Sequence, residues 1–112
     1  MATPRHDYTV RQGNTGALAA RFYTLDGAGD RVPRDFSGAT LVAYFKWHGG
    51  TLTKSGGSVM IDGHAVTVTL APAETAALPS GRTVIYEIEH VLAGVQTTLL
   101  AGALVVEAGI NA

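Results

Sequence analysis

Val59-Met60-Ile61-Asp62-Gly63-His64-Ala65-Val66-Thr67-Val68-Thr69-Leu70 decides the fold class. Val59 and Ile61 alternate with polar or flexible neighbours before Asp62-Gly63-His64. After it Val66, Val68 and Leu70 alternate with Thr67 and Thr69. Period-two alternation on both sides of a glycine turn is the pattern of a β-hairpin with one buried face. The same pattern recurs outward along the chain. Thr83 to Val91 sets Val84, Tyr86 and Ile88 against Glu87 and Glu89. Ala39 to Trp47 sets Leu41, Ala43, Phe45 and Trp47 against Val42, Tyr44, Lys46 and His48. Ala17 to Thr24 sets Leu18, Ala20 and Phe22 against Arg21 and Tyr23, and Tyr8-Thr9-Val10-Arg11 is a short β-rich opening. Val95 to Val106 closes the set, with Gly102 marking an expected bulge or bend.

Turn signals separate these runs: Asp26-Gly27-Ala28-Gly29-Asp30, His48-Gly49-Gly50, Gly56-Gly57 and Leu92-Ala93-Gly94. Ala71 to Pro79 departs from the pattern. Its composition is helical, Pro72 suits a first helical turn and Pro79 stops the element. It reads as a helical crossover over residues 72–78, with Leu78 plugging the core. About seven strands with one apolar face each are expected to pack as two antiparallel sheets, an immunoglobulin-like β-sandwich, with a small barrel as the alternative.

The 112 residues suit one domain, expected over 7–107 with a flexible N-terminal arm, 1–6, and a C-terminal tail, 108–112. Eight Lys and Arg stand against nine Asp and Glu, without a basic run, so neither nucleic acid nor a membrane surface is an expected partner. Cysteine is absent, which excludes disulfides and thiolate metal sites. The polar start, Met1 to Asp7, has no apolar core of a signal peptide, and no apolar run approaches the length of a membrane span. A product made and kept soluble in the cytoplasm, or exported by another route, is expected.

Candidate chemistry is sparse. His6, His48, His64 and His90 share no ligand spacing, and no metal or cofactor is expected. His64 is expected to be exposed in its tight turn. The serines lie in glycine turns outside any nucleophile elbow, and Glu87 and Glu89 read as a solvated strand face. A non-enzymatic protein is expected. Tyr23 and Tyr44 fall opposite the core aromatics and are candidate partner contacts, for a protein or a sugar. Arg5 and His6, in the polar arm, are candidates for contact with a neighbouring subunit.

The order of features carries a resemblance. Tyr8-Thr9-Val10-Arg11-Gln12-Gly13-Asn14-Thr15 precedes the second strand. Val32-Pro33-Arg34-Asp35-Phe36-Ser37-Gly38-Ala39-Thr40 precedes the third. Val68 to Arg82 carries the crossover, and Tyr86-Glu87-Ile88-Glu89 leads to Thr97-Thr98-Leu99-Leu100-Ala101-Gly102. Over residues 7 to 107 this resembles the small immunoglobulin-like domain of tailed-phage and prophage virion proteins, most of all the N-terminal domain of the baseplate upper protein family. The resemblance implies a structural virion component, in tail, baseplate, head–tail junction or capsid decoration, present in multiple symmetric copies and bound to other virion proteins. The helical or fibrous continuation common in that family does not follow here, so an adaptor or decoration subunit is expected. The alternative is a β-sandwich carbohydrate-binding module.

Overall fold

The computed structural model describes residues 4–36 and 38–109. The chain is mostly β, with ten strands in three sheets and one short α-helix among the described residues. Strands β1 (Tyr8–Arg11), β5 (Thr40–Trp47), β6 (Gly50–Lys54), β9 (Gly81–Leu92) and β10 (Val95–Glu107) form a five-stranded sheet ordered β1-β10-β9-β5-β6. Strands β2 (Gly16–Arg21), β7 (Val59–Asp62) and β8 (Ala65–Leu70) form a second, ordered β2-β8-β7. Strands β3 (Tyr23–Leu25) and β4 (Arg31–Pro33) pair as a separate hairpin.

Both larger sheets turn their apolar positions to one core. Leu18, Val66, Val68 and Leu70 from the three-stranded sheet share it with Leu41, Phe45, Val84, Tyr86, Ile88 and Leu104 from the other. Burial of side chains of this size stabilises the fold by roughly 1.5–3 kcal/mol each. The quoted hairpin forms as its alternation requires, with Asp62 opposite Ala65 and Gly63 at φ 62° in the first central position of its turn. Helix α1 (Pro72–Ala76) is the crossover. Its Glu74 carboxylate accepts the Ala71 N–H at 2.8 Å, and Leu78 behind it is buried.

Several expectations are corrected. β1 runs parallel to β10, so the large sheet is mixed. Ala17 to Thr24 is two strands. At Phe22 the N–H goes to the His64 carbonyl while its own carbonyl accepts the Arg34 N–H, so the strand changes partner from β8 to β4. β4 and β6 add to the expected seven strands; β4 has three residues and ends in a proline, and β6 starts inside the glycine turn and carries one large apolar side chain, Leu52, too few for alternation to announce either. The irregularities of β10 lie between Thr98 and Leu100 and between Leu104 and Val106, whereas Gly102 pairs in register with Tyr86. Ile61 is 43% exposed because β7 is an edge strand and its end escapes the core. His64 is half-buried against the Tyr23 ring, 5.0 Å between centroids.

Candidate functional site

Pro4 to His6 continue β1 along β10. The His6 N–H donates to the Ala101 carbonyl at 3.0 Å, and the Ala101 N–H donates to the Pro4 carbonyl at 3.1 Å. Arg5 forms the bridge with Ala101 and is exposed. The Tyr86 hydroxyl donates to the His6 carbonyl from below. That approach exists because residue 102 is glycine: a β-carbon there would collide with the same carbonyl oxygen. Burial raises the Tyr86 pKa well above the ordinary tyrosine value, reinforced by neighbouring Tyr8 and Asp7, so the hydroxyl stays a donor. Asp7 takes over from backbone pairing. Its carboxylate accepts the Ala103 N–H at 3.0 Å and meets Arg82 at 2.6 Å, and these contacts hold its pKa below the usual carboxylate value. The remainder of the expected arm and tail, Met1–Thr3 and Ile110–Ala112, lies outside the described residues.

The side chains of Pro4, His6 and Tyr8 form one wall of an open groove of about 460 Å³. The opposite wall is the run Ala19 to Tyr23, and Leu100 contributes to the lining between them. The Tyr8 hydroxyl spans the two sheets, donating to the Ala19 carbonyl at 2.8 Å, and burial raises its pKa. The His6 ring meets the Tyr8 ring edge-on at 4.6 Å, and Tyr8 meets Tyr86 at 5.7 Å. The Arg31 guanidinium lies 4.1 Å over the Tyr23 ring.

The structure therefore brings Tyr23 and His6 together in one groove, with Arg5 next to His6. Tyr44 is elsewhere. It projects from the outer face of the five-stranded sheet opposite Glu87, half-buried in a small hollow with Lys46 and Ile85. Tyr23 and Tyr44 do not form a common aromatic platform, and Arg31 and His64 already pack on Tyr23. Tyr8, Arg21, Phe22 and Leu100 are groove residues that sequence reasoning missed. Each sits in an ordinary strand pattern, and their convergence depends on pairings far apart in sequence.

Glu87 is exposed on the outer sheet face, and Glu89 next to it is half-buried, with the Thr98 hydroxyl 3.5 Å away. Among the described residues no three His, Cys, Asp or Glu side chains gather into a metal-binding group, and no helix is long and apolar enough to cross a membrane. No protein-family model matches the chain, and no curated protein matches it.

Proposed function

We propose that this chain is a non-catalytic structural subunit of a tailed-phage virion, made in the host cytoplasm and built into the particle in multiple symmetric copies through contacts with other virion proteins. Its two larger sheets act as an immunoglobulin-like sandwich that presents strand edges and hairpin tips to neighbours. One observation carries the reading, the placement of apolar surface. Tyr23, Leu25 and Val32 on the β3–β4 hairpin, Met60 and Ile61 on edge strand β7, and Leu92 and Val95 at the β9–β10 tip all remain exposed. Ile85 is exposed as well, on the outer face of the five-stranded sheet, and apolar side chains left open at edges, tips and that face favour contact with other proteins. The resemblance over residues 7 to 107 supplies the kind of assembly.

Mass spectrometry of gradient-purified particles from the phage or induced prophage encoding the chain tests this. Stoichiometric recovery with tail or head proteins is expected. Absence from intact particles, with the chain abundant in the lysate, would sink the reading.

A further inference from the structure

Gly16 to Leu25 run along one edge as β2 and then β3, joined at Phe22, and the phase of their hydrogen bonds shows which peptide groups are taken. The Phe22 N–H bonds to the His64 carbonyl at 3.0 Å, so Phe22, Ala20, Leu18 and Gly16 turn their peptide groups toward β8. Beyond Phe22 the same phase continues into β4. The Arg34 N–H bonds to the Phe22 carbonyl and the Asp26 N–H to the Asp30 carbonyl, each at 3.0 Å, so Thr24 between them also faces β4. The odd-numbered residues Ala17, Ala19, Arg21, Tyr23 and Leu25 point their N–H and C=O the other way, where, among the described residues, neither sheet has a further strand. Tyr8 takes the Ala19 carbonyl. Arg21, Tyr23 and Leu25 keep an open edge.

The groove lies on that edge. Consecutive residues from Ala19 to Tyr23 line it, as the edge of a strand does, because alternate side chains leave by opposite faces and the backbone lies between them. Across it stand Pro4, His6 and Tyr8, which alternate along the arm as one face of a strand does. The charges there are of one sign. Arg21 is in the lining and Arg31 lies on Tyr23, while among the described residues no carboxylate contributes to the lining. Asp7, the acid nearest in sequence, is turned to Ala103 and Arg82. Acids outnumber Lys and Arg over the whole chain, so this excess of cations is local.

We propose that this edge receives an extended acidic segment of a partner protein as an added strand. Its peptide groups bond to Arg21, Tyr23 and Leu25, an apolar side chain rests against Tyr8, Phe22 and Leu100, and a carboxylate meets Arg21 and Arg31. This rests on the protein-binding reading above and names the chemistry of the partner.

The probes are the peptides Ac-Glu-Val-Glu-Val-Glu-NH2 and Ac-Lys-Val-Lys-Val-Lys-NH2, titrated into the uniformly 15N-labelled full chain. The acidic peptide is expected to give saturable amide shifts centred on Arg21, Tyr23 and Leu25 and to slow hydrogen exchange at those three amides about tenfold or more. The lysine peptide is expected to bind at least about tenfold more weakly, and Arg21→Glu to reverse the preference. Arg31→Glu, on β4, provides the same reversal if Arg21→Glu, on β2, disturbs the spectrum beyond the edge. Equal binding of both peptides, shifts centred elsewhere, or no saturable shift at millimolar peptide would overturn the proposal. So would edge shifts that grow with protein concentration alone, which would assign the edge to a second copy of this chain. The particle measurement separates the two readings. A chain present in particles with an edge silent to peptide loses only the strand addition. A chain absent from particles whose edge still selects the acidic peptide loses only the virion assignment.

Discussion

Gly102 shows how one missing side chain arranges a site. Its hydrogen occupies the space where a β-carbon would strike the His6 carbonyl oxygen, and the Tyr86 hydroxyl reaches that oxygen past it. Gly102→Ala must move backbone, because the obstructing atom is not the end of a flexible side chain. Chemical denaturation is expected to show a loss of about 2–4 kcal/mol, with hydrogen exchange accelerated at His6 and Ala101 before β9 and β5 are affected. His90 carries a different residue-scale consequence. It is buried on β9, its ring 6.0 Å from that of Phe36, and burial, followed by the charge of Arg34, lowers its pKa below the usual histidine value. A depressed histidine pKa means that the unfolded chain binds the proton better. This contribution to stability is complete above about pH 6.5 and is lost as pH falls toward the folded value. His90→Gln should flatten the fall in melting temperature between pH 7 and pH 5; an unchanged slope would remove His90 as its source.

At the scale of elements, α1 is held by one side chain more than by its own five residues. Thr75 is fully buried; its Oγ1 accepts the Gly13 N–H at 3.1 Å and lies 2.7 Å from the Asn14 carbonyl, to which it donates. The Gln12 amide donates to the Leu78 carbonyl at 2.8 Å, so the β1–β2 turn and the crossover lock each other. Thr75→Val keeps the shape and removes both hydroxyl bonds, at an expected cost of about 1–3 kcal/mol by denaturant titration, most of which Thr75→Ser restores. The β9–β10 hairpin turns on Ala93 at φ 52° and Gly94 at φ 80°. Positive φ costs an alanine more than an asparagine, so Ala93→Asn is expected to stabilise the hairpin by roughly 1 kcal/mol, seen as a higher melting temperature.

For the whole molecule, the extents of 50 × 24 × 22 Å and a radius of gyration of 14.8 Å describe an elongated body, against about 13 Å for a compact chain of about 100 residues. The length follows the 12- and 13-residue strands β9 and β10. Pro4 to His6 lie along the second of these and wall the groove, so the arm is expected to serve both stability and the proposed binding. Deleting residues 1 to 6 is expected to leave a β-type circular-dichroism spectrum, lower the melting temperature through the lost partner of Tyr86, and weaken incorporation into particles. Unchanged melting together with normal incorporation would show that the arm serves neither.

The alternations at Leu41 to Phe45, Val66 to Leu70 and Val84 to Ile88 were legible because side-chain direction in a strand has a local period of two. So was the crossover ending at Leu78, through its prolines and helical composition. Those residues by themselves determined a mostly-β chain with one apolar face per long strand. Which strands become neighbours was not written locally. Parallel pairing of β1 with β10, the change of partner at Phe22 and the reach of Tyr86 to His6 join residues as far apart as Tyr8 and Leu104. Tyr23 and His6 could be marked from sequence as outward and polar, but only tertiary structure put them across one groove from each other and left Tyr44 on a different face. A strand's pattern specifies which side is buried. Which edge stays open depends on how many strands the rest of the chain supplies to cover it.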